Sequence, residues 1–364
     1  MSSDEKVRES WDVFWEGATP ESEIQMRDFY GGRQWILKHV PRFGRVLEAG
    51  CGLGRYVFYL DRLGIDVEGL DFHEPTVDSL KAWARHAGFT APFRVGDVNA
   101  LPHEPDSLSG YISLGVIEHI AEGPGRALAE AYRVLRPGGV AVITTPSVSF
   151  SQAYLRLRRT ARDVVKTVLG KPVKKAPFFQ HWYTPRELSG FVRRAGLDVV
   201  LAGGGDLVYS MLELGFTPRD RPLFRVVDCL EAGPLARFGA QAFTVSLKRG
   251  PRMSCFLCGQ QTVRPDRLRE FYLPVCRECE ATELASYYRP GVKPRFHQHY
   301  TFQPPVAPAH DETCRYCGRP FTTDTLFEDF GFAIPVCPAC LRLPNVNLDL
   351  SNRHLKPVWR MEII

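Results

Sequence analysis

The sequence contains no run approaching the roughly 18 consecutive apolar residues that a membrane-spanning helix requires. Its first residues, MSSDEKVRES, lack the hydrophobic core of a signal peptide. A transmembrane segment is therefore excluded, and a cytoplasmic location is expected. Charge of one sign is also scarce: 46 Lys and Arg against 41 Asp and Glu leave a formal +5 over 364 residues, too little to imply a polyanionic partner. The excess is not gathered at one end, because residues 251–364 hold 14 basic and 12 acidic side chains. Apolar residues are not scarce. At 44% they exclude the depletion that marks disorder, and the length favours two folded units, one of them small.

What is present begins with βαβ grammar from Arg45 onward. Short apolar runs suited to a buried parallel sheet occur at RVLEAG (45–50), DVEGLD (66–71), FRVGD (93–97), GYISLG (110–115) and VAVITTP (140–146). Between them YVFYLDRLG, PTVDSLKAWARHAG and GRALAEAYRVLRPGG repeat apolar residues at three and four. They read as helices, the last stopped by its Pro-Gly-Gly. Residues 1–40 read as an N-terminal helical segment, and 41–250 as one α/β domain. Within it, 147–184 reads as an inserted basic lid, with eight Lys and Arg and one Asp between Ser147 and Lys175. PRELSGFVRRAGLDVV and AFTVSLKRG supply a further helix and strands.

In VLEAGCGLGRY, Gly50, Gly52 and Gly54 stand between a strand and a helix, where missing side chains let backbone amides approach a ligand at the helix N-terminus. A dinucleotide fingerprint would place a third glycine where Arg55 stands, so a pyrophosphate ligand is disfavoured. Asp71 ends the second strand about 20 residues on, where a carboxylate accepts from two ribose hydroxyls. Asp97 ends the third strand, suited to an adenine amino group or to a plain turn, and Val98 offers an apolar wall.

VLEAGCGLG, GLD, GDVNALP, SLGVIEHI and RVLRPGGVAVITTP, in this order over residues 40–250, resemble the class I methyltransferases of the type-11 kind. The resemblance implies a Rossmann-like, seven-stranded sheet with one antiparallel strand and helices on both faces. It implies S-adenosylmethionine across the strand carboxyl ends, near Glu48, Gly50, Cys51, Gly52 and Gly54 at the methionine part, Asp71 at the ribose and Phe72 beside the adenine. Asp97, Val98 and Ser113 complete the expected cofactor set. His119 is similar in position to a histidine near the active site of many relatives, able to take a hydroxyl proton or to serve as a structural hydrogen-bonded histidine. His181 lies where relatives often close the substrate pocket. Some quinone O-methyltransferases hold a divalent metal through E-x-x-E-H; here Gly115 replaces the first glutamate, so no catalytic metal is expected.

Eight of the ten cysteines form four Cys-x-x-Cys pairs, a spacing that suits zinc in a reducing compartment. CFLCG…YLPVCREC and CRYCG…AIPVCPAC make residues 251–364 a duplicated module with repeats at 255–279 and 314–340. Two structural zinc ions are expected, one on Cys255, Cys258, Cys276 and Cys279, the other on Cys314, Cys317, Cys337 and Cys340, with exchange of pairs left open. Four thiolates around each ion would make the module slightly acidic, which weakens a nucleic-acid reading.

The expected function is methyl transfer to oxygen or nitrogen of a small molecule, such as a secondary metabolite, a lipid-linked sugar or a quinone-like acceptor. The zinc module would then serve assembly or a protein partner. The alternatives are modification of RNA, DNA or protein recruited by the ribbons, and a non-catalytic scaffold that binds the cofactor. The missing (N/D/S)-P-P-(Y/F) motif argues against amino-base methylation, and the missing Pro-Cys nucleophile against covalent cytosine chemistry. The basic stretch Arg156, Arg158, Arg159, Arg162 and Lys166 reads either as a solvated helix face or as a contact for an anionic substrate or an acidic membrane surface.

Overall fold

The computed structural model describes residues 38–41, 43–62, 65–87, 89–170, 179–207 and 238–281, with separate positions and short strands elsewhere. Seven strands, β1 (Val46–Ala49), β2 (Val67–Asp71), β3 (Phe93–Val95), β4 (Leu108–Leu114), β5 (Leu135–Pro146), β6 (Asp198–Gly205) and β7 (Gln241–Leu247), form one sheet in the order β3-β2-β1-β4-β5-β7-β6. Strands β1 to β5 are parallel, and β7 runs antiparallel to both its neighbours, β5 and β6. Every residue of β1 and β2 is buried, which is why these strands read as apolar runs instead of alternating patterns. Strand order reverses at β1, so the connections leaving β1 and β4 diverge and open a crevice at their carboxyl ends.

Helices α1 (Arg55–Arg62), α2 (Glu74–His86), α3 (Gly125–Val134), α4 (Phe150–Val168) and α5 (Pro185–Arg194) follow. Helix α5 starts on a capping box: the Thr184 hydroxyl accepts from Glu187 N while the Glu187 carboxylate accepts from Thr184 N, with Pro185 in the first turn. One boundary departs from the sequence expectation. Helix α3 stops at Val134, ahead of the Pro-Gly-Gly, and β5 already begins at Leu135. Leu135 pairs with Leu108 before the register shifts to Gly110 opposite Val140. Pro137 has no N–H to continue the helix, and Gly138 takes the left-handed turn at φ +87.

Apolar clusters cover both sheet faces. Val57, Phe58 and Leu60 of α1 pack with Val77 and Leu80 of α2, and Leu128, Ala131 and Val134 of α3 pack with Leu188 and Val192 of α5. A third cluster joins Val140 of β5 and Val245 of β7 to Phe256, Phe271, Leu273, Val275 and Tyr288 from the cysteine-containing unit. That unit opens with the hairpin β8 (Met253–Ser254) and β9 (Gln261–Val263), followed by α6 (Arg277–Glu280). A Cβ on Gly138 would lie 2.6 Å from Ser254 N, so the bulge of β5 and the hairpin are in direct contact. On the other side Tyr288 donates to the Lys38 carbonyl at 2.9 Å, and His39 Nε2 lies 3.2 Å from the Tyr272 hydroxyl.

The second repeat shows a matching hairpin, His310–Thr313 against Pro320–Thr323. In each unit the residue before the first cysteine pairs with the residue three after the second, Ser254 with Gln261 and Thr313 with Pro320. Cys314, Cys317, Cys337 and Cys340 lie outside the described residues, as do most of residues 1–40. Among the described residues, no helix is long and apolar enough to cross a membrane.

Candidate functional site

The turn after β1 has a backbone that only glycine holds without strain: Gly50, Gly52 and Gly54 sit at φ +74, +50 and +74. A Cβ on Gly50 would meet Val116 at 2.5 Å, so the turn presses against the segment that follows β4. Gly50 N and Cys51 N both donate to the Leu70 carbonyl, which binds the turn to the end of β2. Cys51 itself faces inward, packed in the cluster beneath the turn, and burial raises its thiol pKa.

Two buried carboxylates brace this cradle. Glu48 accepts from Val57 N at 2.9 Å, and burial lifts its pKa to about 8. Asp71 accepts from Gly52 N at 2.9 Å and from His73 N at 3.0 Å; its pKa is raised by burial in spite of these bonds. Each oxygen retains lone-pair capacity for a hydroxyl donor. The glycine turn, Asp71 and the half-buried Phe72 thus lie together at the carboxyl ends of β1 and β2, where open α/β sheets bind their ligands. Asp97 is exposed and its Oδ1 accepts from both Asn99 N and Asn99 Nδ2, an Asx turn. Val98 packs on the core and Ser113 is fully buried in β4.

Beyond β4 a short 3₁₀ turn, Ile117–His119, carries the chemistry-bearing pair. His119 Nδ1 lies 2.8 Å from the Phe179 carbonyl. A carbonyl only accepts, so Nδ1 holds the proton and Nε2 presents its lone pair, 3.7 Å from Glu118 Oε1. Burial lowers the His119 pKa, which keeps the ring neutral at pH 7. Glu118 is fully buried, and neither carboxylate oxygen receives a hydrogen bond from another described residue. Burial pushes its pKa up to about 8. Its carboxyl folds back beside Gly115, where a Cβ would be 3.5 Å away. His181 N donates to the Glu118 carbonyl at 2.8 Å, and His181 Nε2 lies 3.2 Å from the Ala121 carbonyl. This histidine ties the segment before α5 to the turn after β4, and its ring stacks on Tyr183.

The sequence reading missed Glu118, although it adjoins His119; nothing in a Glu-His dipeptide distinguishes a buried carboxyl from a solvated one. It also missed the aromatic wall. Trp11 meets the His119 ring edge-on at 4.9 Å, and Phe179 does so at 4.7 Å, bringing the N-terminal segment and the end of the basic insertion onto the same imidazole. Glu23 pairs with Arg55, so the N-terminal segment also reaches the glycine turn. No local pattern announces contacts across such separations.

Away from this cleft, the sulfurs of Cys255, Cys258, Cys276 and Cys279 all lie within 4.8 Å of one another. A tetrahedral ion with bonds of about 2.3 Å spaces four sulfurs by roughly 3.8 Å, so this set fits a closed zinc site. Gly259 at φ +81 turns the first knuckle, and Cys276 N donates to Cys255 Sγ. The pairs gather in sequence order within one repeat.

Residues 47–143 match the family described as a methyltransferase domain. A ubiquinone biosynthesis O-methyltransferase of Roseobacter denitrificans is 29% identical over 162 residues, covering 43% of this chain and 60% of that protein. A probable S-adenosylmethionine-dependent methyltransferase of Mycolicibacterium smegmatis is 30% identical over 175 residues, covering 45% of this chain and 60% of that protein. The chain thus spans about three fifths of the length of these curated relatives. Among solved structures, a chain in the complex between the Haloferax volcanii Trm112 methyltransferase activator and the putative methyltransferase is 18% identical, with a TM-score of 0.43, over 67% of this chain and 98% of that one. With its glycine turn, its buried acidic pair and its single antiparallel strand, this chain has the Rossmann-like methyltransferase fold, and residues 47–143 within it match a methyltransferase domain.

Proposed function

We propose that the chain methylates a hydroxyl oxygen of a small, quinone-like acceptor, with S-adenosylmethionine as donor. The observation that carries this reading is the neutral His119, its proton fixed on Nδ1 by Phe179 and its Nε2 available as a base at the carboxyl end of β4. The name of the Roseobacter relative supports oxygen as the methylated atom.

The cofactor, when bound, supplies a methyl group on a sulfonium that is already an activated leaving group. Glu48, Gly50, Cys51, Gly52 and Gly54 would hold its methionine part, Asp71 the ribose, and Phe72, Asp97, Val98 and Ser113 the adenine side. His119 Nε2 takes the acceptor's hydroxyl proton, the Phe179 carbonyl orients the ring through Nδ1, and Glu118 Oε1, 3.7 Å from Nε2, faces the positive charge that forms there. His181 acts as a strut, through its bonds to the Glu118 and Ala121 carbonyls, and not as a base. Trp11 and Phe179 wall the site against water and suit a flat acceptor ring.

Cys255, Cys258, Cys276 and Cys279 would hold one structural zinc ion, which fixes the unit that shares a core with β5 and β7. A second ion on Cys314, Cys317, Cys337 and Cys340 follows from the repeat. Because the first unit is built into the sheet, the zinc module serves the enzyme's own architecture before it serves any partner.

The test is a methyl-transfer assay with phenolic quinol precursors, comparing the wild-type chain with His119→Asn. The wild type should methylate a phenolic hydroxyl, and the variant should lose roughly 10²-fold or more in kcat while retaining cofactor affinity. Equal rates for the two would remove His119 from the reaction.

A further inference from the structure

Helix α4 has an apolar face turned outward. It is capped by Ser149, whose hydroxyl accepts from Gln152 N, and only Ser151 among its 19 residues is buried. Phe150, Tyr154, Leu157, Val164, Val165 and Val168 are exposed, Leu157 by 71% and Val168 by 79%. At 3.6 residues per turn these six fall within an arc of about 100° that contains no charge. Arg156, Arg158, Arg159, Arg162 and Lys166 all fall outside it, opposed by Asp163 alone. The helix thus combines an outward apolar stripe with a net positive polar face.

We infer that α4 docks on an anionic lipid bilayer, its apolar stripe entering the headgroup boundary and its cations pairing with lipid phosphates. Charge selects this occupant over a second copy of the chain: a two-fold contact would set one strongly basic helix against its twin. Apolar residues at such exposure also make poor sense against water. The helix stands beside the site, because Arg156 packs over the Trp182 ring at 5.5 Å and His181 and Tyr183 flank that tryptophan. Docking therefore brings the mouth of the cleft to the membrane surface. It does not depend on which atom of which acceptor is methylated.

The experiment is flotation of the full-length chain with vesicles of phosphatidylcholine alone or mixed with phosphatidylglycerol, at low and high salt. The chain should float with the anionic vesicles, stay in solution with the neutral ones, and be released by salt. The double variant Leu157→Glu, Val168→Glu changes only exposed positions and should keep the wild-type melting temperature, while its partition into anionic vesicles should drop roughly tenfold or more. Absence of flotation with anionic vesicles would overturn the inference, as would flotation untouched by the variant. Light scattering supplies the remaining arm: a wild-type dimer that the double variant converts to monomer would assign the stripe to a second copy.

Discussion

Glu118 is the most informative single residue, since a carboxyl buried without a hydrogen bond from another described residue is held at a cost. Its folded pKa, about 8, is raised above the ordinary carboxylate value. The folded state then binds more protons than the unfolded state between those two values, so this residue makes stability fall as pH rises from about 4.5 to about 8. Glu48 acts in the same direction. Glu118→Gln should therefore raise the melting temperature at pH 8 by several degrees and change it little at pH 5, read by thermal unfolding without cofactor. Because Glu118 Oε1 faces His119 Nε2, the same variant should lower kcat and leave KM for the cofactor unchanged. His119 sets the acid limb of activity: its pKa is lowered by burial, so the base form persists below pH 6.5 and the rate should fall only on further acidification. A pH–rate profile checks this.

Gly50 is the corresponding test of the cradle. An alanine there would adopt φ +74 and meet Val116. The left-handed conformation alone costs a non-glycine residue about 1–2 kcal/mol, and the collision with Val116 adds to it. Gly50→Ala should abolish cofactor binding in calorimetry and lower the melting temperature.

At the scale of elements, the strands were legible because burial on both sheet faces keeps short apolar runs in them, Val46 and Leu47 in β1, Val67 and Leu70 in β2, and Val140 to Ile143 in β5. Gly50, Gly52 and Gly54 were legible because the turn tolerates nothing else. The α3–β5 boundary was not, because Leu135 and Arg136 suit either state and only pairing of Leu135 with Leu108 decides it. The junction with the cysteine unit was equally hidden. Lys38 is fully buried between the Tyr272 and Tyr288 rings, 5.5 and 5.7 Å from their centroids, and its Nζ makes no hydrogen bond among the described residues. Hundreds of residues separate these partners, and neither side carries a local sign of the other. Burial lowers the Lys38 pKa to about 7. The unfolded chain then binds the extra proton between about 7 and 10.5, so stability gains from this residue as pH rises across that window. Lys38→Met should flatten that rise, and unfolding curves at pH 7 and pH 9.5 measure it.

At the scale of the molecule, the sheet order β3-β2-β1-β4-β5-β7-β6 puts the glycine turn, the Glu118–His119 pair and the foot of α4 along one edge, while the four-cysteine cluster lies against β5 and β7. The sequence divides the chain near residue 250, yet the core cluster of Val140, Val245, Phe256 and Tyr288 crosses that line. Replacing Cys255 and Cys276 by serine, or stripping metal with a chelator, should accordingly lower the single unfolding transition of the methyltransferase sheet; a separate low-temperature transition with the main one unmoved would contradict the shared core. The central claim, methyl transfer to a small acceptor, is tested most directly by incubating the chain with methyl-labelled S-adenosylmethionine and a host extract and then fractionating the label. Label in a low-mass product, as an ether methyl stable to nuclease and protease treatment, is the predicted result. Label confined to RNA, DNA or protein would contradict it and recast the cysteine repeats as recruiters of a polymer.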